Sequence, residues 1–367
     1  MPNSLPNFDR EELSQSMTAA MAGRASDKAS LEAFIRPSAV KTYAIEVHLP
    51  DGASTASRFR TLGDRLGLNT AETADPSVGV LHGPDLTFFV DALDSRFWLL
   101  HTTSGATRAQ STLGRAIWTS RDLDWCWFPG LLLSQSVESS SIRWFKSDFR
   151  GDDLLPSDGI AARRMRVQFE GDNASVLYEQ LSRNPDYGHA TALTSIAFPL
   201  LDAYLGRTDE VANYRGRFIA RGDSFELHVG FVGRVLKQYA ELIAAIEERF
   251  RISWQGDETG GYTFDGEVLT IDFPRPIPDM DRFMSGLFSC RDPFRLWAVP
   301  RSVAPEVYEA EAVDLHIGAQ LRMDFTPERL RVYLSDGVCG NSVARLIANL
   351  QHRYDASIEG AQASLAN

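Results

Sequence analysis

The chain has 367 residues, 44 % hydrophobic and 23 % charged, with a net charge of -12. It is long enough to bury more than one core, and it is neither a disordered chain nor one whose whole surface is given to nucleic acid. Cys126, Cys290 and Cys339 are too few and too widely spaced for a disulfide framework or a zinc knuckle, which fits a reducing compartment.

From the N-terminus, Leu13, Met17, Ala20 and Met21 recur at helical spacing, with Leu31, Phe34 and Ile35 beyond Gly23, and Pro37 ends the segment. Residues 1–36 are therefore expected as a helical arm, loosely attached because its apolar stripe is short. Met1 to Arg10 lacks the features of an export signal, and the longest nearly uncharged apolar run, Leu193 to Leu205, contains Pro199 and Asp202. The expectation is a cytoplasmic protein with no membrane span.

Residues 37–135 read as an α+β domain. Tyr43 to Leu49 alternates as a half-buried strand, and Pro50-Asp51-Gly52 turns into a helix ending near Gly67. Val78 to His82, Leu86 to Ala92 and Phe97 to Thr102 form a three-strand meander before a helix over Thr107 to Trp118. Asp124 to Gly130 is an aromatic knot that serves as a core plug or a stacking platform.

Residues 136–163, polar and turn-rich, are expected to link this domain to a second one over 164–367. Their carboxylates, Asp148, Asp152, Asp153 and Asp158, lack calcium-loop spacing, so no metal is assigned, and no motif specifies a cofactor.

The second domain reads as tandem hairpin-helix units. Hairpins are expected at Arg221-Gly222-Asp223, at Asp265-Gly266 and at Thr326-Pro327-Glu328, followed by helices over Val235–Phe250, Asp279–Phe288 and Ser342–Tyr354. The fold class is thus α+β, with mostly antiparallel sheets and helices packed on one face.

Only four lysines occur, Lys28, Lys41, Lys146 and Lys237, and none completes a phosphate-binding loop or a carboxylate-x-Lys nuclease step. Zincin, kinase and α/β-hydrolase signatures are absent as well. Candidate chemistry lies in three acid-x-His steps on expected strands, Glu46/His48, Glu226/His228 and Asp314/His316, where i and i+2 share a face and a carboxylate orients its imidazole.

Ser335 to Ser342, with Cys339 between Gly337 and Gly340, is either an anion-binding strand-to-helix turn or an ordinary helix start capped by Asn341 or Ser342. Arg164 and Arg166 on one strand and Arg215 and Arg217 on another would, if the strands pair, form a phosphate-gripping face. These features point to a non-enzymatic recognition or assembly component of a bacterial multi-protein system, binding a protein partner or nucleic acid. The alternative is a metal- or His/carboxylate-dependent hydrolase, acting on phosphoesters, whose site gathers the three acid-x-His steps.

Overall fold

The computed structural model describes residues 4–5, 8–22, 39–49, 54–138, 141–157, 163–256 and 262–359. Leu31, Phe34, Ile35, Pro37, the Pro50-Asp51-Gly52 turn and Asp158 lie outside them. In chain order the first elements are β1 (Ser4–Leu5), α1 (Arg10–Ala22), β2 (Val40–Val47), α2 (Thr55–Leu66), β3 (Asn69–Thr73), β4 (Val78–His82) and β5 (Thr87–Asp91). Then come β6 (Phe97–Thr102), α3 (Ala106–Thr119), β7 (Leu123–Trp125), α4 (Gly130–Gln135), β8 (Trp144–Arg150), β9 (Arg164–Glu170) and α5 (Ala174–Ser182). They are followed by β10 (Leu193–Asp202), β11 (Gly206–Asn213), β12 (Arg217–Gly222), α6 (Phe225–Phe250), β13 (Ser253–Gly256), β14 (Tyr262–Asp265) and β15 (Leu269–Asp272). The last are α7 (Met280–Leu287), β16 (Leu296–Trp297), β17 (Arg301–Ala304), β18 (Val307–Asp314), β19 (Gln320–Thr326), β20 (Arg329–Leu334) and α8 (Gly340–Arg353).

The chain forms two compact units, each assembled from three separate stretches. Unit 1 holds Met1–Cys126, Ser140–Arg143 and Ile196–Lys237; unit 2 holds Trp127–Ser139, Trp144–Ser195 and Gln238–Asn367. No helix among the described residues is long and apolar enough to cross a membrane.

In unit 1 the strands run in the order β1-β3-β4-β5-β6-β2-β12-β11-β10, with β7 also on β2. The meander β4-β5-β6 is antiparallel as its alternation implies. Every residue of β2 is buried, where its period-2 pattern had implied one wet face. The reason is coverage from both sides: Tyr43 Oη donates to Ala106 O of α3 at 3.5 Å, while Thr42, pointing the other way, meets His228 of α6. Helices therefore cover two faces of this sheet.

Helix α1 is docked, which corrects the expectation of a loose arm. Leu13, Met17 and Met21 sit one turn apart at 2 %, 2 % and 0 % exposure, packed with Val40, Val78, Ala220 and Phe225. Arg10 holds its start, donating to Asp91 and, at 3.0 Å, to Ser77 Oγ. The aromatic knot is a core plug, since Cys126, Trp127 and Phe128 are all buried.

In unit 2 the sheet order is β15-β20-β19-β18-β16, with β17 paired to β18. Residues of β19 and β20 alternate between exposed or half-exposed and buried, so one face is sealed and the other is polar. The hairpin β19–β20 turns at Thr326 and leads to α8, as expected.

At the other two sites the expected hairpin does not form, although a helix follows each. Phe225 to Val229 is no strand but the start of α6, because Ser224 caps it: Leu227 N donates to Ser224 Oγ at 3.1 Å. The hairpin there is β11–β12. Likewise Asp265-Gly266 joins no hairpin. β14 pairs back with β13 and β15 pairs with β20, and position 266 requires glycine, since its φ is 97° and an added Cβ would lie 2.1 Å from Arg251 O.

Candidate functional site

Moving Phe225 to Val229 from strand to helix separates the middle acid-x-His step. Residues i and i+2 of a helix point to different sides, so Glu226 is exposed while His228 is buried. The carboxylate of His228 comes instead from β11: Glu210 Oε1 lies 2.8 Å from His228 Nδ1. On the far side of the ring, Thr42 Oγ1 lies 2.7 Å from His228 Nε2 and 2.8 Å from His101 Nδ1.

Hydroxyl, imidazole and carboxylate follow one another here in the order of nucleophile, base and orienting acid. Yet Thr42, His101, Glu210 and His228 are each 0 % exposed, so no substrate touches the hydroxyl. Burial, helped by His228 and Arg10, drives the His101 pKa down to about 3; burial raises that of Glu210 against the pull of His228. The array is a hydrogen-bonded core.

Glu46 and His48 do meet as expected, with Glu46 Oε1 3.1 Å from His48 Nε2. Arg96 Nε also donates to that oxygen at 2.6 Å. Thr42, which touches His228, stands six residues from His48 along an extended chain, roughly 20 Å at ~3.3 Å per residue. A shared metal ion needs both ligands within about 2 Å of it. His48 and His228 do not share a site, so the gathering of all three steps fails.

In unit 2, Asp314 ends β18 and is 0 % exposed. Its carboxylate accepts from Arg345 and Ser342 of α8, and from the backbone N of His316 at 3.0 Å, which holds the β18 turn. The expected carboxylate-imidazole contact is replaced by a buried ion pair. The turn before α8 is likewise closed: Gly340 N donates to Glu247 Oε1 at 2.7 Å, so a carboxylate of the same chain occupies the seat an outside anion would take. Cys339 stands at the cap position without a side-chain cap bond, and neither Asn341 nor Ser342 is the N-cap. Gly340 is needed because a Cβ there would lie 2.8 Å from Ile243 O of α6.

The expected arginine face does not form. β9 pairs with β8, whereas β12 lies between β11 and β2. Arg166 is 3.0 Å from Asp148, and Asp152 takes both Arg164 and, at 3.0 Å, Arg163. Burial opposes ionisation of Asp148, but Arg150, Lys146 and Arg166 outweigh it and hold the carboxyl below its usual range. Arg215 Nε donates to Tyr214 Oη at 3.0 Å, and Arg217 donates to Gln110 Oε1 at 2.9 Å, its pKa lowered by burial against the help of Tyr43.

What unit 2 does present is an aromatic pair. Trp254 of β13 and Phe264 of β14 are direct cross-strand partners, 66 % and 61 % exposed, with ring centroids 4.0 Å apart. Asp265, the next residue of β14 and therefore on the opposite face of the hairpin, is also exposed. The hairpin is a two-stranded sheet of its own, anchored at its base where Glu267 N donates to Arg249 O at 2.9 Å. Its signal in the sequence is the pair of large aromatics, Trp254 and Phe264, flanking a glycine-rich, acidic stretch.

No solved structure matches the chain. An uncharacterized protein of Methanocaldococcus jannaschii, MJECL33, is 23 % identical over 313 residues, covering 75 % of this chain and 76 % of that one. That relative is archaeal, so nothing confines the fold to bacteria. The model of the MJECL33-like proteins matches residues 3–364, and the chain belongs to that family.

Proposed function

We propose that the protein is a non-catalytic recognition component whose hairpin β13–β14 docks a cationic segment of a protein partner. The exposed Trp254–Phe264 pair carries this reading. Large aromatics with most of their surface wet are the side chains that dominate binding energy once covered. Ring faces open to solvent, in a chain of net charge -12, favour an arginine- or lysine-bearing partner through cation-π contact and long-range charge complementarity. Most of the residues counted as catalytic candidates support it from the other side, since Glu46, His228, Asp314 and His316 are each 0 % exposed.

The test is binding of a labelled arginine-rich peptide at physiological salt. The double variant Trp254→Ala/Phe264→Ala should bind at least about tenfold more weakly, the scale of one or two aromatic anchors. Its melting temperature should barely move, as exposed positions cost within about 0.5 kcal/mol. Equal affinity of variant and parent would refute the docking role. A single-stranded oligonucleotide binding as well as the peptide at low salt, with affinity falling steeply as salt rises, would point to nucleic acid as the partner instead.

A further inference from the structure

A second surface, in unit 1, has the chemistry of a small-anion site. A groove of about 440 Å³ lies between the end of α2, the β4–β5 turn and α3, within the size range of small-ligand sites, roughly 300–1,000 Å³. Arg108, Thr112 and Arg115 stand at i, i+4 and i+7, on one stripe of α3 facing the groove, and Arg65 reaches it from the last turn of α2. Its lining holds three guanidinium groups against one carboxylate, Asp85, in a chain whose overall charge is strongly negative.

The carboxylates at hand do not saturate these arginines. Arg108 meets Asp85 through one nitrogen at 3.3 Å, and Arg65 meets Asp122 through one nitrogen at 3.2 Å. Both contacts are longer than the roughly 2.7–2.9 Å of a tight charge-assisted bond, and neither uses the two-pronged geometry a guanidinium offers. Arg115, exposed, has no ion-pair partner among the described residues, and the Thr112 hydroxyl has no hydrogen bond there either. Donors are thus in excess of acceptors along one wall.

We infer that this groove binds a phosphate group, free or esterified to a small molecule. A carboxylate has two oxygens to offer, whereas a phosphate dianion has three, enough for Arg65, Arg108 and Arg115 with the Thr112 hydroxyl as a further donor. A bare phosphate fills only part of the groove, so a phosphate monoester, its organic part lying along the rest, is the better occupant.

The probes are inorganic phosphate and ribose 5-phosphate, titrated calorimetrically into the full chain at low and physiological salt. Ribose 5-phosphate should bind, Arg115→Glu should weaken it at least tenfold, and Arg115→Lys should weaken it less, since charge is kept while the fork is lost. Arg183→Ala, an exposed arginine of α5's end in unit 2, should change nothing. Equal affinity for inorganic phosphate, lost in Arg115→Glu, would support the anion seat and identify free phosphate as its occupant. No heat with either probe at millimolar concentration and low salt, or unchanged affinity in an Arg115→Glu protein whose circular dichroism matches the parent, would overturn the inference.

Discussion

Replacing Arg345 by methionine should come close to unfolding the protein, and the structure says why. Arg345 and Asp314 expose 1 % and 0 % of their side chains. The guanidinium satisfies two groups at once, the Asp314 carboxylate through Nη2 and the Phe294 carbonyl through Nε at 2.9 Å. Without it, Asp314 keeps Ser342 and one backbone N–H but remains a buried anion with no cation. Breaking such a pair costs about 3–5 kcal/mol, and the abandoned carbonyl adds about 1–3 kcal/mol.

The sum, about 4–8 kcal/mol, is comparable to the about 5–15 kcal/mol by which a domain is stable at all. Methionine fills much the same volume, so little of the loss is cavity. The decisive comparison is Arg345→Met against Asp314→Asn/Arg345→Met in urea unfolding followed by circular dichroism. With both charges gone the penalty for an isolated ion disappears, and the double variant should recover at least about 2 kcal/mol relative to the sum of the singles. A cost below about 1 kcal/mol for Arg345→Met, or strict additivity, would mean that the pair is not the buried anchor described here.

Two further outcomes are expected. Because burial lowers the His101 pKa to about 3 while the unfolded chain titrates near 6.5, the unfolded state binds the extra proton between those values. Stability is then lost as pH falls from 6.5 towards 3, by at most about 1.4 kcal/mol per pH unit; His101→Gln should flatten the slope between pH 7 and 5, and an unchanged slope would contradict the assignment. Met17→Ala, at a residue 2 % exposed, should cost about 2–5 kcal/mol, measured by chemical denaturation, whereas a loosely attached arm would lose almost nothing.

Where one face of an element alone decides its fate, the sequence sufficed. The alternating residues of β19 and β20 and the stripe of Val343, Leu346, Ile347 and Leu350 on α8 specify strand, strand and helix by period, and those elements formed as read. The same alternation misled in β2, since period cannot tell a central strand with helices on both faces from one with a wet side.

Phe225 to Val229 shows the complementary limit: five residues fit either period, and a single hydroxyl, that of Ser224, tips them into α6. Partners distant in sequence were invisible for a physical reason. His228 and Glu210 meet because β11 folds back on β12, and Asp314 meets Arg345 because α8 returns across β18, each pairing set by how apolar faces stack. Local pattern determines which face of an element is apolar. Only tertiary packing decides which polar groups are carried inside with it, and hence that Glu46, His228, Asp314 and His316 are sealed while Glu226, Trp254, Phe264 and Arg115 are left to solvent.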